Sequence, residues 1–177
     1  MHQSIFYFFN NLAFQNKFID VLVIFIADWL IWWLVLAVVF LFILKKINLK
    51  NLLQIFAIAF IAWFMAELIK FFCFSPRPFL VLANVKPLFT HGLNDSFPSG
   101  HTTLAFALAT AVTLFTNYKI GFLFFISALL VGLSRIVVGI HWPLDILVGA
   151  FLGITIVLIF YLFKIKVIQK EQAKLQK

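Results

Sequence analysis

Hydrophobic residues form five long runs along the chain, and short polar segments separate them. A run of about 20 apolar residues is the length that an α-helix needs to cross the hydrocarbon core of a bilayer. The pattern therefore predicts five membrane-spanning helices, at residues 18–44, 52–74, 101–116, 120–139 and 143–163.

Residues 1–16 are rich in aromatic side chains but are interrupted by Gln3, Asn10 and Asn11. The segment is shorter than a bilayer span, and a helix lying in the membrane interface is the favoured interpretation. A sixth span is the alternative, and it would change only the side of the N-terminus. The segment has neither a basic start nor a small-residue cleavage site, so it is not interpreted as a removable signal peptide.

Composition supports a membrane protein. Of the 177 residues, 64% are hydrophobic and only 11% are charged, whereas a soluble domain is about 45–50% apolar and about 25% charged. This excludes an ordinary soluble domain and a disordered chain, and a single cysteine, Cys73, excludes a disulfide scaffold. We expect one all-α integral membrane bundle over residues 1–177.

The net charge of +8 raises the question of nucleic acid binding. The lysines lie mostly at the ends of apolar runs, however, which favours a membrane protein without a nucleic acid partner. With five spans, nine lysines share one side: Lys45, Lys46, Lys50, Lys119, Lys164, Lys166, Lys170, Lys174 and Lys177. The positive-inside rule predicts that this side, including a basic tail at residues 164–177, is cytoplasmic. The polar loop at residues 75–100 then faces the periplasm or the exterior.

Three polar clusters lie at the predicted outward ends of the apolar runs, at residues 70–78, 97–102 and 134–145. Charged groups near membrane depth are costly and usually mark functional sites. Both arginines of the chain, Arg77 and Arg135, belong to these clusters, although the chain has 12 lysines. Arginine grips phosphate oxygens with a planar fork that lysine lacks. Together with Lys70, these cations predict an anionic ligand.

The histidines of the clusters indicate catalysis. His141 and Asp145 are four residues apart, and therefore share one face if the stretch is helical. A carboxylate fixes the tautomer of an imidazole and raises its basicity, as a nucleophilic or general-base histidine requires. Ser99 and Gly100 precede the third span, where backbone N–H groups at a helix start bind anions.

The ordered pattern K-x6-R-P, P-S-G-H and S-R-x5-H-x3-D, from Lys70 to Asp145, resembles the three-part signature of the type 2 phosphatidic acid phosphatase (PAP2) family. The segment from Arg77 to His101 further resembles the small bacterial undecaprenyl-diphosphatases of that family. The resemblance implies a lipid phosphatase of the bacterial inner membrane that needs no metal or cofactor and cleaves undecaprenyl diphosphate. Its catalytic core is expected at residues 52–163.

The resemblance also implies a role for each residue of the signature. His141 is the expected nucleophile that forms a phosphohistidine, Asp145 orients it, and His101 is the general acid that protonates the leaving oxygen. The expected phosphate-binding residues are Lys70, Arg77, Ser99, Gly100 and Arg135.

Several alternatives stay open at this stage. The substrate is alternatively phosphatidylglycerophosphate, phosphatidic acid or lipid A 1-phosphate, and a transporter or anion channel is the alternative of another class. Lys70 alternatively forms only an ion pair with Glu67. Ser134 alternatively forms a hydrogen bond only within its own helix. Asp28 is interpreted as a bundle-facing or interfacial polar group rather than a catalyst. For His91, Asn94 and Asp95, loop solvation competes with a role in contacting a second phosphate or in shaping the entrance of the site. The sequence does not indicate the oligomeric state.

Overall fold

The computed structural model describes residues 2–89, 92 and 95–175, and every regular element within these ranges is helical. A π-helical turn at Phe25–Trp29 joins the second and third helices into one continuous rod. The prediction of an all-α protein is therefore confirmed. The helices are α1 His2–Asn10, α2 Lys17–Ile24, α3 Leu30–Ile43, α4 Leu49–Phe72, α5 Pro78–Val81, α6 Gly100–Phe115, α7 Tyr118–Val137 and α8 Pro143–Leu175.

Within the described ranges, four helical segments are long and apolar enough to cross a membrane: Lys17–Ile43, Leu49–Phe72, Tyr118–Val137 and Pro143–Leu175. Helix α6, at the position of the third predicted span, has 16 residues and is about 24 Å long. That is shorter than a hydrocarbon core of about 30 Å. Helix α6 packs against α4, α7 and α8, and ten of its residues are buried. It is thus the central helix of the bundle, largely shielded from lipid by its neighbours.

Glycines bring α8 close to α6. A Cβ atom at Gly153 would lie 2.4 Å from the Thr103 carbonyl oxygen, and one at Gly149 would lie 2.9 Å from the Ser99 carbonyl oxygen. Small residues at such contacts allow membrane helices to approach backbone to backbone. The close contact holds the start of α8 beside the start of α6, where the predicted catalytic residues lie.

Helix α1 has nine residues, about 14 Å, which agrees with an interfacial helix and is too short for a sixth span. It packs against the end of α7 and the start of α8. The buried ring of Phe6 contacts Trp142 with centroids 5.3 Å apart, and Asn10 donates a hydrogen bond to the Val137 carbonyl oxygen. Helix α1 therefore lies at the end of the bundle where α7 ends.

The predicted basic tail continues the last helix. Helix α8 extends twelve residues past the predicted end of the fifth span, to Leu175, and residues 176 and 177 lie outside the described ranges. Lys164 donates a hydrogen bond of 2.9 Å to Gln54 near the start of α4. The lysines of the tail and of the loop before α4 thus lie at the end of the bundle opposite the end of α4.

Candidate active site

The eight predicted site residues lie at one end of the bundle, where α4 and α7 end and α6 and α8 begin. Ser99 is the N-cap of α6, and its backbone N–H donates to the Asp145 carbonyl oxygen at 3.1 Å. This bond joins the second and third motifs directly. The predicted residues come from five segments and gather around His141, as the contacts below describe.

His141 and Asp145 are both 2% exposed, and His141 Nδ1 lies 3.3 Å from Asp145 Oδ2. Because α8 begins at Pro143, His141 precedes the helix and the pair meets across the helix start. The Trp142 backbone N–H also donates to Asp145 Oδ2, at 2.8 Å, which fixes the carboxylate. With Nδ1 facing Asp145, Nε2 is the ring nitrogen left to face a substrate.

The environment of His141 favours its neutral form. Burial, followed by the positive charges of Arg135, Arg77, Lys70 and His101, lowers the pKa of His141 well below the ordinary histidine value. A neutral imidazole retains a lone pair and can act as a nucleophile. The same cations would attract the oxygens of a phosphate placed next to His141.

Arg77 is 1% exposed and organises the loops of the site. Its Nη1 donates to the Ile140 carbonyl oxygen at 2.9 Å, and its Nη2 donates to the Asp95 carbonyl oxygen at 3.4 Å. Burial lowers the pKa of Arg77, and the carboxylates of Asp145 and Glu67 act in the opposite direction. An arginine in such surroundings remains protonated. Its charge therefore lies directly beside the residue preceding His141.

Arg135 is equally buried, at 1% exposure, and is only partly satisfied. Its Nη1 donates to the Ala27 carbonyl oxygen at 2.9 Å, but its Nε has no hydrogen-bond partner among the described residues. A buried donor without a partner is costly, and a charged one more so. A phosphate oxygen is the kind of acceptor that would satisfy this N–H.

Lys70 forms an ion pair of 2.8 Å with Glu67, so the pairing weighed from the sequence does occur. The lysine side chain is 12% exposed and its charge reaches His141. Glu67 also explains the glycine of the second motif. A Cβ atom at Gly100 would lie 2.5 Å from Glu67 Oε1, so the carboxylate occupies the space that a side chain would need.

The hydroxyl groups of the motifs differ in their surroundings. Ser99 Oγ accepts a hydrogen bond of 2.9 Å from Thr102 Oγ1, which leaves its own hydrogen to donate elsewhere. Ser134 donates to the Val131 carbonyl oxygen within its own helix, at 2.8 Å. Of the two serines, Ser99 is therefore the one suited to a phosphate.

The roles of three loop residues, His91, Asn94 and Asp95, were left open by the sequence, and the structure describes Asp95. Asp95 Oδ1 accepts the Ser75 backbone N–H at 2.9 Å, and its carbonyl oxygen accepts from Arg77. Asp95 therefore connects its loop to the segment of the first motif by hydrogen bonds. His91 and Asn94 lie outside the described residues. Within the described ranges, no group of three or more histidine, cysteine, aspartate or glutamate residues could hold a metal ion.

Asp28 is a site residue that the sequence interpretation missed. It lies in the π-helical turn, and its Oδ1 is 3.7 Å from Arg135 Nη1 and 3.9 Å from His101 Nε2. The available signal was a carboxylate inside an apolar span, a position that usually has a function. The interpretation as a bundle-facing polar group did not identify its partners.

An apolar groove of about 510 Å³ leads away from the site between α3, α4 and α6. This volume is typical of ligand pockets. His101 is the titratable residue of its lining, and the other walls are aromatic and aliphatic. They include Trp32, Phe60, Trp63, Leu104 and Leu108.

Comparison with known proteins agrees with this geometry. The PAP2 superfamily profile matches residues 50–168. Undecaprenyl-diphosphatase BcrC of Bacillus subtilis is 36% identical over 165 residues, which cover 92% of this chain and 84% of that protein. A Bacillus licheniformis protein named bacitracin transport permease protein BcrC is 35% identical over 153 residues, which cover 84% of this chain and 73% of that one.

A solved structure shares the fold. The crystal structure of LpxE from Aquifex aeolicus matches with a TM-score of 0.75 and 30% identity, covering 89% of this chain and 93% of that one. The profile match extends over more than half of the chain, and relatives above 30% identity align over most of their own length. The chain is therefore a multi-pass membrane phosphatase that belongs to the PAP2 superfamily.

Proposed function

We propose that this phosphatase hydrolyses undecaprenyl diphosphate to undecaprenyl phosphate and inorganic phosphate, through a phosphohistidine on His141. The observation that carries the proposal is the buried His141–Asp145 pair, surrounded by the charges of Lys70, Arg77 and Arg135. This arrangement combines a neutral nucleophile with a cationic pocket, which are the two requirements of phosphoryl transfer through a histidine.

In the first step, His141 Nε2 attacks the terminal phosphorus, and the bond from that phosphorus to the bridging oxygen breaks. His101 gives its proton to the bridging oxygen, and the lipid monophosphate leaves. In the second step, water attacks the phosphorus of the phosphohistidine while neutral His101 takes one of its protons. The P–N bond breaks, inorganic phosphate leaves, and both histidines return to their starting forms.

The cations neutralise the charge that develops on the equatorial oxygens of the phosphoryl group. Arg135 Nε is a buried donor without a partner among the described residues, and Ser99 caps the start of α6, where backbone N–H groups can bind an anion. Donors that are fixed before the reaction stabilise the transition state without further reorganisation. These groups take the role that Mg²⁺ has in many phosphoryl transferases.

The choice of lipid rests on two points. The B. subtilis relative is named an undecaprenyl-diphosphatase, and the apolar groove beside His101 offers a place for the first units of a long hydrocarbon tail. A tail in that groove would place the leaving phosphate next to the proposed general acid. The site lies opposite the lysine-rich end of the bundle, so under the positive-inside rule it faces the periplasm or the exterior.

Phosphate release from a panel of lipids tests the substrate. We expect the purified protein in detergent with EDTA to cleave undecaprenyl diphosphate at least about tenfold faster than phosphatidylglycerophosphate, phosphatidic acid or lipid A. A different preferred lipid would keep the mechanism and replace the substrate. Release that depends on added Mg²⁺ would contradict the role given to the cations, and no release from any lipid of the panel would contradict the proposed substrate.

The groove has its own test. Leu104→Trp should fill the space next to His101 and lower kcat/KM for undecaprenyl diphosphate by about tenfold, because displaced apolar contacts are worth roughly one order of magnitude each. Hydrolysis of p-nitrophenyl phosphate, which has no tail, should stay unchanged. Leu147→Trp on the exposed face of α8 is the matched control. Equal losses on both substrates would show that the groove does not hold the tail.

A further inference from the structure

Asp28 lies outside the region that the PAP2 superfamily profile matches, yet its carboxylate enters the site. Its Oδ1 is 3.9 Å from His101 Nε2 and 3.7 Å from Arg135 Nη1. Both separations are those of ion pairs. The carboxylate therefore lies between the proposed general acid and one of the proposed phosphate-binding cations, and no motif supplies it.

The π-helical turn at Phe25–Trp29 brings Asp28 there. In this turn the Leu30 N–H bonds to the Phe25 carbonyl oxygen, five residues back, which locally widens the helix. The carbonyl oxygen of Ala27, inside the turn, accepts the hydrogen bond from Arg135 Nη1 at 2.9 Å. Single π turns within α-helices occur frequently at functional sites. Here the turn contributes a backbone acceptor and a carboxylate to the same arginine.

We propose that Asp28 is a positioning residue, whose carboxylate keeps His101 in its protonated form and holds Arg135 in place, so that both act on the same phosphate. This inference rests on the proposed role of His101 as general acid. In this role Asp28 acts through His101 and Arg135 and takes no part in bond making or bond breaking.

The charges of the site explain why His101 needs such a partner. A general acid must hold its proton before the reaction, and nearby cations disfavour a protonated imidazole. The titratable and charged groups around the site are Glu67, Lys70, Arg77, Arg135, His141 and Asp145. The carboxylate of Glu67 is paired with Lys70, and that of Asp145 with His141. Asp28 adds a further carboxylate, 3.9 Å from the His101 ring.

The two histidines would then have separate carboxylates in different surroundings. The carboxylate of Asp145 is 2% exposed, whereas that of Asp28 is 43% exposed. One pair holds a neutral nucleophile and the other holds a protonated acid, which is the division of protonation states that acid–base catalysis requires. Because water screens Asp28, we expect its effect on His101 to be moderate.

The pH dependence of Asp28→Asn tests the proposal, with farnesyl diphosphate in detergent as the probe. Without the carboxylate, His101 loses its proton at lower pH. The alkaline limb of the pH–rate profile should therefore move to lower pH, by about 0.5 to 1 pH unit. The maximal rate should fall about tenfold, part of the 10²–10⁴-fold contribution typical of a general acid. Asp28→Glu keeps the charge and should restore the position of the limb.

Asp20→Asn is the matched control on the same rod of helix. The Asp20 carboxylate accepts the Phe14 backbone N–H at 2.9 Å, and an amide oxygen can accept the same bond. Its pH profile should equal that of the unmodified protein. A shift of the alkaline limb in Asp20→Asn as large as in Asp28→Asn would assign the effect to the helix as a whole and overturn the proposal.

A second readout is independent of how much protein is correctly folded. Phenyl phosphate has a more basic leaving group than p-nitrophenyl phosphate and depends more on the general acid. The rate on phenyl phosphate divided by the rate on p-nitrophenyl phosphate, measured on one sample, should fall at least about fivefold in Asp28→Asn. An unchanged ratio together with an unchanged alkaline limb would overturn the proposal. If His101→Ala also left the ratio unchanged, the failure would lie in the proposed role of His101.

Discussion

Replacing His141 with alanine should lower phosphate release by about 10⁴- to 10⁶-fold, the loss typical of a missing nucleophile. The imidazole is 2% exposed, burial and the surrounding cations lower its pKa, and Asp145 fixes its Nδ1 side. Release of phosphate from undecaprenyl diphosphate by detergent-purified protein measures the effect.

Chemical trapping separates a lost nucleophile from general damage. Unmodified protein quenched during turnover of a radiolabelled substrate should carry phosphate that acid removes and alkali does not, as expected of phosphohistidine. His141→Ala should carry none. His101→Ala should turn over about 10²- to 10⁴-fold more slowly but should still become labelled from p-nitrophenyl phosphate, which needs little help in leaving. Labelling of His141→Ala at the level of the unmodified protein would contradict the proposed intermediate.

The membrane fold was largely predictable because the uninterrupted hydrophobic runs are longer than those in the helices of soluble proteins. The boundaries agree within a few residues where an asparagine or proline marks a helix start, as at Asn48, Asn117 and Pro143. The central position of α6 was not predictable. Its residues are small rather than more hydrophobic, and only the packing of Gly149 and Gly153 against it shows that it is surrounded.

The site residues that belong to the three motifs were predictable, because their fixed spacing at helix ends brings these residues together. The contribution of Asp28 depends on a π turn and on which helix packs against α7, and neither follows from local sequence. The close contact of Glu67 with Gly100 was not predictable either, because it depends on how α4 packs against α6.

Arg135→Lys should lower kcat/KM for undecaprenyl diphosphate by about 10²- to 10³-fold, the usual cost of losing one preorganised donor in an oxyanion site. The guanidinium performs two tasks at once. Its Nη1 donates to the Ala27 carbonyl oxygen and faces Asp28, while its Nε has no partner within the described part of the chain and is available to a phosphate oxygen. A lysine has a single nitrogen, so it keeps the charge but cannot fill both positions.

Ser134→Ala is the matched control for Arg135→Lys, because it changes the adjacent buried residue of α7. Among the described residues, the Ser134 hydroxyl donates its hydrogen bond to the Val131 carbonyl oxygen of its own helix, so kcat/KM should stay within about twofold. Inorganic phosphate, as a competitive inhibitor, gives a second measurement, and its inhibition constant should rise in Arg135→Lys but not in Ser134→Ala. If Arg135→Lys kept kcat/KM within about threefold, positive charge alone would be sufficient at this position, and the unpartnered Nε would have no role in holding the phosphate.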